Sequence, residues 1–251
     1  MIPIFIATGH SGSGKSTLLR FAKQAFQNYG LFSETVTDRD LLSQAVAQDM
    51  AEGYEELEVG EGKLAKVSAH AVLYRDHHDP GLRVFTVRDG LLLNRVHQKM
   101  RDLVFDYRDE SGLVVEWTTG PNVHEFPVLP TGEEELYQDG NSIVELFAER
   151  RLGDGRQVLM VAVNTDLEQR IERNLRRPDP MDPDDFSKIF RDGGELRQFD
   201  AAQFPKGVFF HEYENNYDDE ARFFQEMREM CGREAQRLFE GGWVNRERQK
   251  R

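Results

Sequence analysis

The chain has 251 residues, of which 39% are hydrophobic and 31% charged, and its formal net charge is −13. At roughly 150 residues per domain, this length predicts one large domain or one domain with an insertion. A chain with so negative a charge has no general attraction to nucleic acid or to an anionic membrane. The net charge does not exclude a local basic site. The single cysteine, Cys231, cannot form an internal disulfide, and the longest apolar run, residues 158–163, is too short to span a membrane. We therefore expect a cytoplasmic protein.

Short apolar runs alternate with helical patterns along the chain. Continuous apolar runs predict strands that are buried on both faces, as in a parallel sheet. The predicted strands are residues 2–7, 32–37, 112–117, 158–163 and 208–211. The clearest predicted helices are one that ends at Gly30, and residues 91–104, 142–152, 166–177 and 218–239. Strands that alternate with helices predict an α/β fold with helices on both faces of the sheet.

Two segments do not follow this alternation. Residues 45–88 predict an inserted small lobe, because an acidic stretch is followed by a hairpin-like alternation of apolar and polar residues. We expect the acidic residues to form a solvated face or loop; they are Asp49, Glu52, Glu55, Glu56, Glu58 and Glu61. Residues 178–206 carry several prolines, glycines and aspartates and predict a lid-like loop, and we expect the basic tail at 246–251 to be frayed.

The strongest motif follows the first predicted strand and opens the first predicted helix. It has the P-loop spacing of a glycine, four residues and then Gly-Lys-Ser/Thr. Its residues, all predicted to bind the nucleotide phosphates, are Gly9, His10, Ser11, Gly12, Ser13, Gly14, Lys15, Ser16 and Thr17. Small residues let backbone N–H groups surround phosphate oxygens, and the helix N-terminus favours anions. We expect Lys15 to reach the terminal phosphates and the Ser16 hydroxyl to bind Mg²⁺.

On this motif the chain resembles the P-loop kinase group, which contains nucleoside and nucleoside-monophosphate kinases and their small-metabolite relatives. The resemblance implies a three-layer α/β sandwich with a five-stranded, mainly parallel sheet in the order 2-3-1-4-5. It also implies ATP as the phosphoryl donor, Mg²⁺ as the cofactor and a lid after the fourth strand. By the same resemblance, residues 212–217 are expected near the adenine of the donor. Residues 45–88 have no recognised counterpart in this group, and we expect them to form a lobe on the acceptor side.

Other P-loop classes fit the chain less well. A GTPase needs Asn-Lys-x-Asp after a late strand to read guanine, and the chain has Asn164-Thr165-Asp166-Leu167 there. The Leu-Ser-Gly-Gly-Gln signature of transporter ATPases does not occur in the sequence. A kinase therefore remains the favoured class.

The predicted helix at 166–177 has one apolar and one basic face. With about 100° between successive residues, the apolar side chains that share a face are Leu167, Ile171 and Leu175. The basic side chains opposite are Arg173, Arg176 and Arg177, with Arg170 at the margin. The resemblance implies that Arg173 and Arg177 neutralise the transferring phosphoryl group, whose charge spreads over its oxygens in the transition state. The alternative is an ordinary solvated charged face.

Acidic residues follow two of the predicted strands. Asp38 and Asp40 come after the second strand, and the resemblance implies an aspartate there that faces the acceptor. Glu116 ends the third strand, where a carboxylate can help to hold Mg²⁺ or orient the acceptor. The alternative for each is a helix cap or a turn residue.

Three functions stay open at this stage. The favoured one is an ATP- and Mg²⁺-dependent phosphotransferase acting on a small acceptor such as a nucleoside or nucleotide. A kinase for a polynucleotide hydroxyl is possible, although the net charge of −13 disfavours nucleic acid as a partner. The third is a nucleotide-switched binding ATPase that transfers no phosphoryl group. No membrane partner is expected.

Overall fold

The structure is a computed structural model. It describes residues 2–58, 64–75, 83–88, 91–108, 111–118, 156–177, 180, 182–189, 204, 207–216 and 220–249. The predicted helix at 142–152 and most of the predicted lid at 178–206 lie outside these residues.

The described residues form nine strands and six helices. The strands are β1 (Ile2–Gly9), β2 (Glu34–Thr37), β3 (Glu55–Glu58), β4 (Leu64–Val67), β5 (Ala71–Arg75), β6 (Arg83–Val87), β7 (Leu113–Thr118), β8 (Arg156–Asn164) and β9 (Val208–Glu214). The helices are α1 (Lys15–Asn28), α2 (Asp38–Glu52), α3 (Leu91–Asp106), α4 (Leu167–Leu175), α5 (Pro183–Ile189) and α6 (Glu220–Gln249). Helix α6 includes Arg246, which we expected to begin a frayed tail.

The larger sheet has five parallel strands in the order β2-β7-β1-β8-β9. Counted within this sheet alone, the order is 2-3-1-4-5, which confirms the predicted fold class. The continuous apolar runs of β1 and β8 form its centre and are buried on both faces. Because the strands are parallel, their carboxyl ends all lie at one edge, where ligands bind in open α/β sheets.

Helices cover both faces of this sheet. Successive side chains of β1 point to opposite faces, so Phe5 packs with α1 and α6 while Ile6 packs with α3. Helix α1 buries an apolar stripe that includes Leu18 and Phe26, and the aromatic ring of Phe26 meets Phe239 of α6 edge-on. This three-layer packing fixes the start of α1 against the ends of the central strands.

A second sheet lies within the segment predicted as an insertion. Its four antiparallel strands follow the order β3-β4-β5-β6, more strands than the hairpin that the sequence predicted. Ala71 and Val87 pack against Val46 and Met50 of α2, which joins this sheet to the larger domain. Placement of this lobe on the acceptor side stays a prediction.

The solvated face or loop that we expected of the acidic stretch is found in part. The side chains of Glu52, Glu55, Glu56 and Glu58 are exposed, Asp49 is buried, and Glu61 lies outside the described residues. Asp49 is only 4% exposed, and its Oδ2 accepts hydrogen bonds from Ser68 Oγ at 2.5 Å and His70 N at 3.1 Å. Glu55 to Glu58 form a strand paired to β4, although their side chains are exposed. Asp49 is buried because it supplies the acceptor that the β4–β5 turn needs.

Within the described residues, no helix combines the length and the apolar composition that a bilayer crossing requires.

Candidate active site

The predicted phosphate-binding loop connects β1 to α1 at the carboxyl edge of the sheet. Gly12 and Gly14 have φ angles of +82° and +103°, in the region that favours glycine. A Cβ on Gly12 would lie 3.1 Å from the Arg170 carbonyl oxygen, and one on Gly14 would lie 2.7 Å from Asn215 Nδ2. The chain after β9 therefore approaches Gly14 too closely for a side chain, and the chain after β8 leaves room at Gly12 only for an unusually tight contact.

We expect Gly14→Ala to destabilise the protein more than Gly30→Ala does. Both glycines have positive φ, but a Cβ on Gly30 would meet no atom within 4 Å. Gly30→Ala should therefore cost only the left-handed backbone strain, about 1–2 kcal/mol. Gly14→Ala adds a steric conflict with Asn215 and Phe223. Urea denaturation measures both; equal losses in the free energy of unfolding would contradict the packing of the loop.

Lys15 begins α1 beneath this loop. Its side chain is 3% exposed, and Nζ donates to the His10 carbonyl oxygen at 2.7 Å. Burial lowers the pKa of Lys15, and the negative charges of Glu116 and Asp38 oppose part of that effect. Gly14 is the N-cap and supplies no side-chain cap, and the first turn of α1 carries no acidic residue. The start of the helix is thus suited to an anion.

Ser16 and Glu116 meet beside Lys15. Parallel register places Glu116 of β7 opposite Ala7 of β1, and the Ser16 hydroxyl lies 3.0 and 3.1 Å from the two carboxylate oxygens. Burial raises the pKa of Glu116, and the charge of Asp38 adds to this effect while that of Lys15 opposes it. The glutamate is therefore held in an environment that favours a bound cation.

This pair of oxygen donors fits Mg²⁺. Neighbouring ligands in an octahedral shell with bonds of about 2.1 Å lie about 3.0 Å apart. The Ser16 hydroxyl and the Glu116 carboxylate already have this separation. Mg²⁺ keeps several waters and takes one or two protein ligands with substrate phosphates, so these two residues would suffice.

The structure brings Asp38 to this cluster, but not Asp40. Thr37 lies opposite Glu116 in the sheet, so Asp38 follows directly beside it. Asp38 Oδ2 accepts from Thr118 N at 2.5 Å, and Oδ1 accepts from Arg39 N at 2.7 Å. Asp40 is exposed in the first turn of α2, where its N–H donates to Thr37 Oγ1. Asp38 acts on the pKa values of both Lys15 and Glu116.

Helix α4 places its faces differently from the prediction. Arg170, expected at the margin of the charged face, is 0% exposed, whereas Leu175 of the expected apolar face is 52% exposed. The reason is that α4 packs against the phosphate-binding loop at Gly12. Arg170 Nε donates to the Thr165 carbonyl oxygen at 3.0 Å. Because this backbone oxygen satisfies the guanidinium N–H, the polar side chain of Arg170 can be buried.

The three other arginines of this region have different surroundings. Arg173 donates to the Gly12 carbonyl oxygen at 3.4 Å, and to Asn215 O at 3.1 Å and Oδ1 at 3.3 Å. Arg177 is exposed, and its positive charge lowers the pKa values of both Lys15 and Glu116. Arg176 pairs with Glu172 at 2.5 Å on the surface. The positive charge of the buried Arg170 also lowers the pKa of Lys15, so Arg170 and Arg177 both act on this cluster, and Arg177 acts on Glu116 as well.

Two residues that the sequence did not single out contact the loop. The Ser13 carbonyl oxygen accepts from Thr165 Oγ1 at 3.1 Å and from Asn215 Nδ2 at 2.6 Å. The sequence placed Asn215 only near the donor base and used Thr165 only to exclude a GTPase motif. The one available signal was position, since the two residues follow β8 and β9 at the carboxyl edge.

No model of a protein family matches this chain, and no curated protein matches it. Among solved structures, a sugar kinase from Janibacter sp. HTCC2649 is 9% identical with a TM-score of 0.44, over 96% of this chain and 95% of the other. Shikimate kinase from Acinetobacter baumannii, in complex with shikimate, is 12% identical with a TM-score of 0.44 over the same shares. The strand order and the parallel register establish the fold independently of these likenesses.

Proposed function

We propose that this protein is an ATP- and Mg²⁺-dependent phosphotransferase that acts on a small hydroxyl or phosphate acceptor such as a nucleoside or nucleotide. The observation that carries the proposal is the meeting of Lys15, Ser16 and Glu116, with Asp38 beside them, at the carboxyl edge of the sheet. A phosphate-binding loop, a pair of metal ligands and an extra carboxylate together supply the parts that phosphoryl transfer needs.

The donor side is formed by the loop and the start of α1. When nucleotide binds, Lys15 Nζ gives up its hydrogen bond to the His10 carbonyl and donates to the terminal phosphate oxygens instead. These negatively charged oxygens are stronger partners for the buried ammonium group than a neutral carbonyl is. Ser16 and Glu116 hold Mg²⁺, which neutralises negative charge on those phosphate oxygens when it is bound. Arg177 supplies a further positive charge for the transferring group.

Asp38 is the residue that we assign to the acceptor. The backbone N–H groups of Arg39 and Thr118 orient its carboxylate, one on each oxygen. Each carboxylate oxygen can accept a second hydrogen bond, so the group can still accept from another donor. An acceptor hydroxyl that donates to Asp38 is aligned beside the phosphates. Its proton passes to this carboxylate as the new O–P bond forms and the bond between the transferred phosphorus and the bridging oxygen of ATP breaks, which releases ADP. Asp38 is thus assigned the role of general base.

The test is incubation of the full chain with Mg-ATP and panels of nucleosides, nucleotides, sugars and single-stranded oligonucleotides, followed by detection of labelled product. We expect transfer to a small acceptor. Transfer only to oligonucleotides would identify a polynucleotide kinase. Hydrolysis without transfer to any acceptor would favour a nucleotide-switched ATPase and would overturn the proposal.

A further inference from the structure

We infer that Thr165 and Asn215 are positioning residues for the phosphate-binding loop: together they hold the Ser13 carbonyl oxygen outward, which turns the Gly14 N–H toward the bound phosphates. The inference rests on the proposed nucleotide site. It adds two residues, from the ends of β8 and β9, that act through the loop without touching the phosphates.

The geometry of the peptide unit carries the first step. In a trans peptide the carbonyl and the N–H of the next residue point in opposite directions. The Ser13 carbonyl points to the side on which Thr165 Oγ1 and Asn215 Nδ2 donate to it. The N–H of Gly14 therefore points the other way, away from the chains that follow β8 and β9. An amide held in this direction can donate to an anion in the loop.

Both donors are themselves fixed. Asn215 is 1% exposed, its N–H donates to the Asn164 carbonyl oxygen at 2.7 Å, and its Oδ1 accepts from Arg173. Because the side-chain oxygen faces an arginine, which only donates, the side-chain NH₂ must face Ser13. The Thr165 carbonyl accepts from the buried Arg170. Rigid donors make the direction of the Ser13 carbonyl a property of the folded protein before any nucleotide binds.

The test compares near-isosteric and conservative variants of the full chain. Thr165→Val removes the hydroxyl and keeps the shape, whereas Thr165→Ser keeps the hydroxyl. Asn215→Asp keeps an acceptor for Arg173 but replaces the donor to Ser13 with an oxygen. We expect about 10-fold weaker binding of Mg-ATP for Thr165→Val and about 100-fold weaker binding for Asn215→Asp. Thr165→Ser should bind within about 3-fold of the unchanged protein.

Calorimetric titration with Mg-ATP and with Mg-tripolyphosphate measures these affinities, and thermal unfolding without ligand measures stability. The same losses with tripolyphosphate would locate the effect at the phosphates rather than at the base. Variants that melt earlier but bind both ligands as the unchanged protein does would overturn the inference and leave a structural role. Equal losses for Thr165→Val and Thr165→Ser would also overturn it. Tight, variant-sensitive binding without phosphoryl transfer would support this inference while contradicting the proposed transferase.

Discussion

Replacing Lys15 with methionine is expected to abolish the thermal stabilisation by Mg-ATP and to lower phosphoryl transfer by about 100- to 1000-fold. The side chain is buried at the start of α1, in reach of the proposed phosphate site. Methionine fills a similar volume without a charge. We expect the unliganded variant to be at least as stable as the unchanged protein, because burial already disfavours the ammonium form of Lys15.

The matched control is Lys23→Met, which changes an exposed lysine on the same helix. It should leave both the Mg-ATP-dependent melting shift and the transfer rate unchanged. Thermal unfolding with and without Mg-ATP, together with a transfer assay, distinguishes the two variants. A Lys15→Met protein that is still stabilised by Mg-ATP would show that the loop does not hold the phosphates in the proposed way.

The lowered pKa of Lys15 also has a consequence for pH dependence. Between the lowered pKa of the folded state and the ordinary pKa of the unfolded state, the unfolded chain binds more protons. The free energy of unfolding contributed by Lys15 therefore rises with pH in this window. Bound phosphates favour the charged ammonium group, so nucleotide binding should take up a proton there. In Lys15→Met both effects should be lost.

Replacing Glu116 with glutamine is the second large expected effect. Transfer should fall by about 100-fold or more, because an amide is a weaker Mg²⁺ ligand than a carboxylate and carries no charge. Burial and Asp38 raise the pKa of Glu116, so a proton competes with Mg²⁺ for this carboxylate more than for an ordinary glutamate. In the unchanged protein, Mg²⁺ affinity should decrease as pH falls through the raised pKa. Glu116→Gln should show weak binding without this acidic decrease.

The free energy of unfolding should depend on pH in the direction opposite to that of Mg²⁺ affinity. Since the folded chain binds the Glu116 proton at higher pH than the unfolded chain does, the contribution of Glu116 to stability is lost as pH rises through the raised pKa. Glu116→Gln should remove this loss. Titrations of Mg²⁺ and urea denaturation at several pH values measure the two effects, with Glu34→Gln, an exposed change on β2, as the control. An unchanged Mg²⁺ requirement in Glu116→Gln would place the metal elsewhere.

The central strands and the conformation of the glycine-rich loop after β1 were predictable because their signals are local. A strand buried on both faces needs apolar side chains at every position, and β1 and β8 have continuous apolar runs. The loop needs glycine where φ is positive, and Gly12 and Gly14 occupy those positions. Glu116 was placed near Ser16 by the same kind of reasoning, since a residue that ends a central parallel strand lies at the ligand-binding edge.

The burial of Arg170 and Asp49 could not be predicted in this way. Helical periodicity assumes that the buried face of a helix meets an apolar surface. Helix α4 instead meets loop backbone, and the β4–β5 turn meets α2 through a carboxylate, so polar groups are buried where partners satisfy them. Likewise, the acidic sequence of β3 gave no sign that this segment is a strand, because the pairing with β4 is made by the backbone, which every residue type carries.

The sequence by itself determined that a glycine-rich loop with P-loop spacing follows a buried strand, and that lysine, serine and carboxylates lie near it. Only the tertiary structure decided which distant groups complete the site. Thr165 and Asn215 donate to Ser13 across 152 and 202 residues of chain. Such contacts produce no repeating pattern in the sequence, because each of these side chains fits one partner and not an environment that recurs along a helix or strand. They arise when the parallel sheet brings the ends of β1, β8 and β9 to the same edge.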